Sequence, residues 1–164
     1  MRSCDENRSD KAPRFRPALI GCVAKDLALC RMLCGMWADT LSSFRCNLEG
    51  SLFLLPTDRD SGEALYRDAM EMAEELRNLG ELIVALGGRT LAETVGGRKH
   101  RCRTGEDYFT FAVKDKMCRV DLYETLMSRT GDRVVRSVIA GLISSQRKSV
   151  RSLEAAFRTE DSPN

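Results

Sequence analysis

The stretch from residue 68 to residue 88 most constrains what this chain can fold into, because it carries an uninterrupted helical pattern. Its apolar side chains recur at steps of three and four residues: Met72, Leu76, Leu79, Ile83 and Leu86. That spacing places them on one side of an α-helix. Gly87 and Gly88 follow, and glycine often supplies the left-handed residue that ends a helix. The stretch therefore predicts a long helix that ends near Leu86.

Composition favours one domain of ordinary globular character. The chain has 164 residues, 43% of them hydrophobic, and a formal net charge of +2, so it has no general attraction for polyanions. It contains no run of about eighteen apolar residues, which a membrane-spanning helix requires, and its first residues are polar and lack the apolar core of a signal peptide. We expect a cytoplasmic protein, in which most of the seven cysteines act as buried packing thiols.

The residues before the second helix predict a tail and one long first helix. Residues 1–14 are too polar to fold and are expected to form a disordered tail. A helix should begin near Pro17. One side of that helix carries the following residues: Leu19, Val23, Asp26, Cys30, Leu33, Trp37, Leu41, Phe44 and Leu48. Asp26 is the only carboxylate among them, and a buried carboxylate needs a partner.

Three further helices follow, and their connections differ in length. The second helix runs from about Gly62 to Leu86, the third begins after Thr104, and the fourth begins after Asp132, because Thr and Asp are favoured N-caps. About 18 residues separate the second helix from the third, enough to run the length of a bundle and join parallel helices. The sequence thus predicts an all-α four-helix bundle over residues 15–158, with a flexible C-terminus at 159–164.

Two segments resemble a known family. The run Gly80–Gly88 is similar to the end of the second helix in small bacterial ferritin-like, rubrerythrin-type proteins. The order of the helices also resembles that family, including residues 123–126 before the break at Gly131. The resemblance covers residues 17–157 and implies a ferritin-like bundle with a long crossover between helices 2 and 3. It also implies two iron or manganese ions, held by a Glu on each of helices 1 and 3 and by a Glu-x-x-His pair on each of helices 2 and 4.

The chain departs from this ligand pattern. Matched by register, the pair on helix 2 falls on Met72 and Glu75, the pair on helix 4 falls on Gln146 and Ser149, and the helix 3 position falls on Lys116. Asp26 is the only candidate on helix 1, and the one histidine, His100, lies in the crossover. We therefore expect a metal-free polar cluster at the former metal site: Asp26, Glu75, Lys116, Gln146 and Ser149. The Lys116 ammonium group would lie between Asp26 and Glu75. Without this cation, one of the two facing carboxylates would have to take up a proton.

Three functional readings remain open. The preferred one is a structural or interaction protein without catalytic residues or a cofactor. It would be a homodimer through helices 1 and 2, because Leu29, Met32 and Met36 lie beside the main apolar side. The second reading is a metal-binding oxidase or peroxidase that holds iron, manganese or zinc with a reduced ligand set: Asp26, Glu75 and either Cys30 or Glu124. The third is anion binding or, less favoured, nucleic-acid binding by the basic crossover loop: Arg98, Lys99, Arg101 and Arg103. The identity of a protein partner is open. Some of these polar side chains could also simply face solvent at the edge of the bundle.

Overall fold

The computed structural model describes residues 26–90 and 101–158. All regular structure within these two ranges is α-helical, as the sequence predicted, and comprises four helices: α1 Leu27–Leu54, α2 Arg59–Ala85, α3 Gly105–Arg129 and α4 Arg133–Arg158. Among the described residues no helix combines the length and apolarity that crossing a membrane requires. Several sequence expectations fall outside the described ranges: the tail 1–14, the helix start near Pro17, the C-terminus 159–164, and the crossover residues Arg98, Lys99 and His100.

Local capping chemistry fixes the ends of α2, α3 and α4 near the predicted positions. The predicted start of the first helix near Pro17 is wrong for α1, which begins at Leu27, because Asp26 has an extended backbone and caps the helix. The Asp58 carboxylate accepts the Ser61 N–H at 3.2 Å, so α2 begins three residues before the predicted Gly62. Gly87 has a φ of 90° immediately after α2, the left-handed conformation that glycine adopts without steric cost. Thr104 begins α3 with a reciprocal capping box, and the Asp132 carboxylate accepts two N–H groups of the first turn of α4.

Contacts between helices define their arrangement. α1 packs against α2 and α3, and α4 packs against α3 and α2, so α2 and α3 lie on a diagonal of the bundle. Each neighbouring pair is antiparallel. In the pair α1 and α3, for example, Arg119 donates to Thr40, and Arg129, farther along α3, donates to Met32, which comes earlier on α1. α2 and α3 therefore run in the same direction, and the long connection between them joins parallel helices, as its length predicted.

The buried core consists of two apolar clusters separated along the bundle. One cluster lies where α1 and α4 begin and includes Leu33, Leu79, Leu126 and Ile139. The other lies at the opposite end of α1 and includes Leu54, Leu65, Phe109 and Leu153. Between them α1 turns polar residues inward: Thr40, Ser43, Asn47 and Ser51 are all buried. The bundle therefore has a polar centre between two apolar ends.

The predicted inward side of α1 is wrong beyond Leu33. Trp37, Leu41, Phe44 and Leu48 are only partly buried. Trp37 lies at the seam with α2, where its indole N–H donates to the Leu76 carbonyl at 3.0 Å. The polar residues one position away fill the centre instead. Where the interior of the bundle is itself polar, the apolar residues of a helix do not face inward.

The residues from which a dimer surface was predicted also have a different role. Leu29 and Met36 are buried within the apolar cluster of this chain, and Met32 packs against that cluster. Their contacts are satisfied inside the bundle, because α1 faces both α2 and α3. These three residues therefore give no support to a dimer.

Candidate functional site

Nine side chains from all four helices form a polar layer at the centre of the bundle. They share burial, with at most 3% of each residue exposed, and they form one connected set of ion pairs and hydrogen bonds: Thr40, Asn47, Asp68, Glu75, Lys116, Arg119, Tyr123, Gln146 and Ser149. We call this set the polar layer. Its two carboxylates come from α2 and its two cations come from α3.

The first half of the polar layer is built on Asp68. Lys116 Nζ lies 2.8 Å from Asp68 Oδ1, and the amide of Asn47 donates to Asp68 Oδ2 at 2.6 Å. The Ser149 hydroxyl also donates to Asp68 Oδ1. One carboxylate on α2 thus binds a donor from each of the other three helices, which fixes their register relative to α2.

The second half is built on Glu75. Arg119 Nη1 lies 3.2 Å from Glu75 Oε2, which also accepts the Gln146 amide N–H at 2.7 Å. The Tyr123 hydroxyl donates to Glu75 Oε1 at 2.5 Å. The pKa of Tyr123 is raised well above its usual value, mainly by burial and secondly by the negative charge of Glu75. Tyr123 is therefore a protonated donor throughout the physiological range.

Two further contacts complete this network. Lys116 also donates to Gln146 Oε1 at 3.4 Å, which links the two halves. Arg119 donates to the Thr40 hydroxyl at 3.0 Å, and it also pairs with Asp115 one turn earlier on α3, at the partly exposed edge of the layer. Since each buried carboxylate faces one buried cation, the interior charges cancel, which is the condition for tolerating them in a low-dielectric interior.

The structure brings together four of the five residues predicted for the central cluster. Glu75, Lys116, Gln146 and Ser149 all belong to the polar layer, but Lys116 pairs with Asp68 rather than lying between Asp26 and Glu75. The prediction for Asp26 is wrong. Asp26 is exposed and caps the N-terminus of α1, where its carboxylate accepts the Leu29 N–H at 2.9 Å. A helix-capping carboxylate already has its partner and faces water, so it has no reason to enter the core.

Sequence reasoning missed five members of the layer: Thr40, Asn47, Asp68, Arg119 and Tyr123. A signal was present, because Asp68 precedes Glu75 by seven residues, and Arg119 and Tyr123 follow Lys116 by three and seven. Those steps place each set on one side of its helix. What the spacing does not contain is the rotation of each helix about its axis, which decides whether that side faces the core.

The polar layer does not fit a di-metal centre. Such a centre needs several carboxylate oxygens and usually imidazole to be free for the ions. Here each buried carboxylate is already bound to a cation of the protein and to two further donors. Within residues 26–90 and 101–158, no group of three or more His, Cys, Asp and Glu side chains has an arrangement that could hold a metal ion.

The alternative ligand set of Asp26, Glu75 and Cys30 is likewise not brought together. Asp26 is at the start of α1, whereas Glu75 is in the polar layer. The Cys30 thiol points to the Ile83 carbonyl at 3.8 Å, and burial raises its pKa, which disfavours the thiolate that a metal would bind. The three side chains therefore serve a cap, an ion pair and core packing.

A groove on the outer side of α3 and α4 is the other candidate site. It has a volume of about 610 Å³ and is lined by apolar Met127 and Ile143 and by the basic residues Arg147, Lys148 and Arg151. Arg147 forms an exposed ion pair with Glu124 at 2.6 Å. Three basic residues and one acidic residue, Glu124, line the groove, so it has a positive local charge although the chain is nearly neutral.

The predicted anion-binding loop lies only partly within the described residues. Arg98 and Lys99 fall outside them, while Arg101 and Arg103 are exposed just before α3. Arg103 contributes a backbone contact, because its N–H donates to the Asp107 carboxylate at 2.9 Å.

Comparison of this chain with models of protein families, with curated proteins and with solved structures found no match.

Proposed function

We propose that this protein is a diverged, metal-free bundle of the ferritin-like type, with a structural or interaction role rather than an enzymatic one. The observation that carries the proposal is the pair of buried ion pairs, Lys116 with Asp68 and Arg119 with Glu75. Both join α2 to α3, the two helices on the diagonal, so they cross the middle of the bundle. In ferritin-like proteins that is the place where two metal ions bind between the helices.

The donor set supports replacement of metal charge by protein charge. A carboxylate buried in the interior requires positive charge beside it, or it takes up a proton. Lys116 and Arg119 supply two positive charges within 3.2 Å of the two buried carboxylates. The neutral groups of Gln146 and Ser149 occupy the helix 4 positions and donate hydrogen bonds to the same carboxylates.

Metal content tests this proposal. Full-length protein purified without an immobilised-metal column should contain far less than one iron, manganese or zinc per chain. Anaerobic addition of Fe(II) or Mn(II) should leave its melting temperature unchanged. In a Lys116→Glu variant the third carboxylate should create affinity for divalent ions, so that Mn(II) raises its melting temperature. The exposed change Lys114→Glu on the same helix is the matched control. Near-stoichiometric metal in the native protein would overturn the proposal and favour the oxidase reading.

For the interaction role we propose a homodimer through the outer side of α1 and α2. Four exposed apolar residues lie where α1 ends and in the first half of α2: Leu52 at 65% exposure, Leu55, Tyr66 and Met70. A Cβ added at Gly62 would lie 2.8 Å from the backbone nitrogen of Leu55, so Leu55 packs closely against the first turn of α2. Exposed apolar side chains on two neighbouring helices are typical of association surfaces.

Light scattering during gel filtration tests the dimer. Wild-type protein should elute with about twice the chain mass, and a Tyr66→Glu variant should elute as a monomer. Met117→Glu is the control, because Met117 is similarly exposed, at 56%, but belongs to α3. A monomeric wild type, or an equal effect of both substitutions, would refute this surface.

A second candidate function is the binding of an anionic partner in the groove between α3 and α4. The observation that favours it is the combination of Arg147, Lys148 and Arg151 with an apolar floor. Charge reversal at these three positions should abolish retention on heparin at low salt, because such binding depends on neutralised phosphates or sulfates. Reversal of exposed Arg31, Arg45 and Arg67 on α1 and α2 is the charge-matched control. Loss of retention by reversal of Arg101 and Arg103 alone would instead assign binding to the loop.

A further inference from the structure

Two cysteines from distant parts of the chain meet at one end of the bundle. Cys46 is buried in the middle of the second half of α1, at 6% exposure, and Cys102 is partly exposed just before α3. Their sulfur atoms lie 3.9 Å apart although the residues are 56 positions apart in sequence. Cys46 belongs to the apolar cluster at this end, and Cys102 packs against it. The general expectation of isolated packing thiols therefore does not describe this pair.

The geometry leaves a short path to a covalent bond. A disulfide has an S–S distance of about 2.05 Å, so the two sulfur atoms need to approach by about 2 Å. Cys46 is held by the α1 backbone, but Cys102 lies in the non-helical residues 101–103. The backbone of Cys102 is therefore free of helical hydrogen bonds and can make most of that approach.

We propose that Cys46 and Cys102 form a dithiol site that is oxidised by low-molecular-weight disulfides such as glutathione disulfide. Oxidation ties the residues that lead into α3 to the side of α1. This assignment is independent of the metal-free reading of the polar layer, since none of its atoms belongs to that layer.

The reaction proceeds by two thiol–disulfide exchanges. The Cys102 thiolate attacks one sulfur of glutathione disulfide, whose S–S bond breaks, and the first glutathione leaves and takes up a proton. The Cys46 sulfur then attacks the sulfur of Cys102 in the mixed disulfide, and the second glutathione leaves with the proton from Cys46. The protein dithiol loses two electrons and two protons, and one glutathione disulfide becomes two glutathione molecules.

Accessibility sets the order of the two steps. Cys102 reacts first because it is partly exposed, whereas Cys46 is buried. Burial and the neighbouring Cys102 sulfur raise the pKa of Cys46 to about 12, and burial also raises the pKa of Cys102. Because the thiolate is the reactive form, oxidation should be slow at pH 7 and should accelerate as the pH rises toward 9.

Peptide mapping of the oxidised full chain tests the proposal. Reduced protein is incubated with glutathione disulfide at pH 8.5, quenched with acid, alkylated and digested for mass spectrometry. The expected product is a peptide that joins Cys46 to Cys102 and disappears on treatment with dithiothreitol. The oxidised protein should melt about 10 °C higher than the reduced protein, since a cross-link closes a loop of more than 50 residues.

Single substitutions separate this site from the other thiols. Cys102→Ser should remove both the cross-link and the rise in melting temperature, and it changes a partly exposed residue, so the fold should be retained. Cys118→Ser is the control, because Cys118 is exposed on α3, and it should leave both unchanged. Oxidation that yields only glutathione adducts, a cross-link of Cys46 or Cys102 to another cysteine, or an equal rise in the Cys102→Ser variant would overturn the proposal.

Discussion

Removing the charge of Lys116 is the most direct perturbation of the polar layer. In a Lys116→Met variant the side chain keeps an unbranched apolar stem, but Asp68 loses the ammonium group that lies 2.8 Å from its carboxylate. At that distance the attraction is about 6 kcal/mol for an effective dielectric constant of about 20. Much of this attraction offsets the cost of burying the two charges in the native protein. When one partner is removed, the cost for the remaining charge stays.

We therefore expect Lys116→Met to lower the free energy of unfolding by about 3–5 kcal/mol. Asp68 keeps its bonds from Asn47 and Ser149, which places the expected value at the lower end. For a chain of this length the melting temperature should fall by roughly 6–15 °C. Urea unfolding followed by circular dichroism measures the free energy, and calorimetry measures the melting temperature.

A double-mutant cycle gives the decisive comparison. Asp68→Asn alone leaves Lys116 without its countercharge and should cost a similar amount. The double variant should cost less than the sum of the two by about 1–3 kcal/mol, because it leaves neither charge unpaired. Lys114→Met, an exposed change on the same helix, should alter stability by no more than about 0.5 kcal/mol. If Lys116→Met costs no more than Lys114→Met, the ion pair across the bundle does not exist in solution.

Three other predictions test the packing and the hydrogen bonds around this layer. Gly50→Ala should destabilise the protein by about 1–3 kcal/mol, because the added Cβ would lie 2.6 Å from the Tyr108 ring. Gly35→Ala should instead stabilise α1 by about 0.5–1 kcal/mol, because its added Cβ meets no atom of the described residues within 4 Å. Thermal unfolding of the two variants distinguishes the opposite signs. Tyr123→Phe should cost about 1.5–3 kcal/mol, because Glu75 loses a hydrogen bond to a charged acceptor; a change within 0.5 kcal/mol in urea unfolding would contradict the observed contact. Burial raises the folded-state pKa of Tyr123 above its unfolded value of about 10. The contribution of Tyr123 to the free energy of unfolding is therefore complete below pH 10 and is lost as the pH rises above it. Between pH 8 and pH 11 the free energy of unfolding should fall less with pH in Tyr123→Phe than in the wild type.

The polar layer has a cost that the two apolar clusters must offset. Replacing a buried ion pair with well-packed apolar residues is often neutral or stabilising, so the layer is not the reason that the protein is stable. Its contacts have a different consequence. Asp68 bonds residues of α1, α3 and α4 at once. A shift of α2 or α3 by one turn would leave buried charges unpaired, and a shift of α1 or α4 would remove the neutral donors from the buried carboxylates. We infer that the layer selects one register among the many that two apolar clusters alone would permit.

Local sequence chemistry determined the four helices and the ends of α2, α3 and α4. The three- and four-residue spacing of apolar residues in α2, the positive φ at Gly87 and the capping box at Thr104 are all properties of neighbouring residues in the chain. Such features depend on few long-range contacts and can be predicted without the rest of the fold. The connection to α3 was also long enough to allow α2 and α3 to run in the same direction.

The tertiary structure alone decided which charges meet. Register matching indicated that Glu75, Lys116, Gln146 and Ser149 belong together, but it could not give Arg119 as the partner of Glu75 or Asp68 as the partner of Lys116. Those pairs join residues more than 40 positions apart, and their formation depends on how far each helix is rotated about its own axis. Asp26 illustrates the same limit: its spacing fits the apolar side of α1, but its position at the first turn makes it a cap in contact with water. Periodicity assigns a residue to one side of a helix, whereas only packing against the other three helices determines what that side meets.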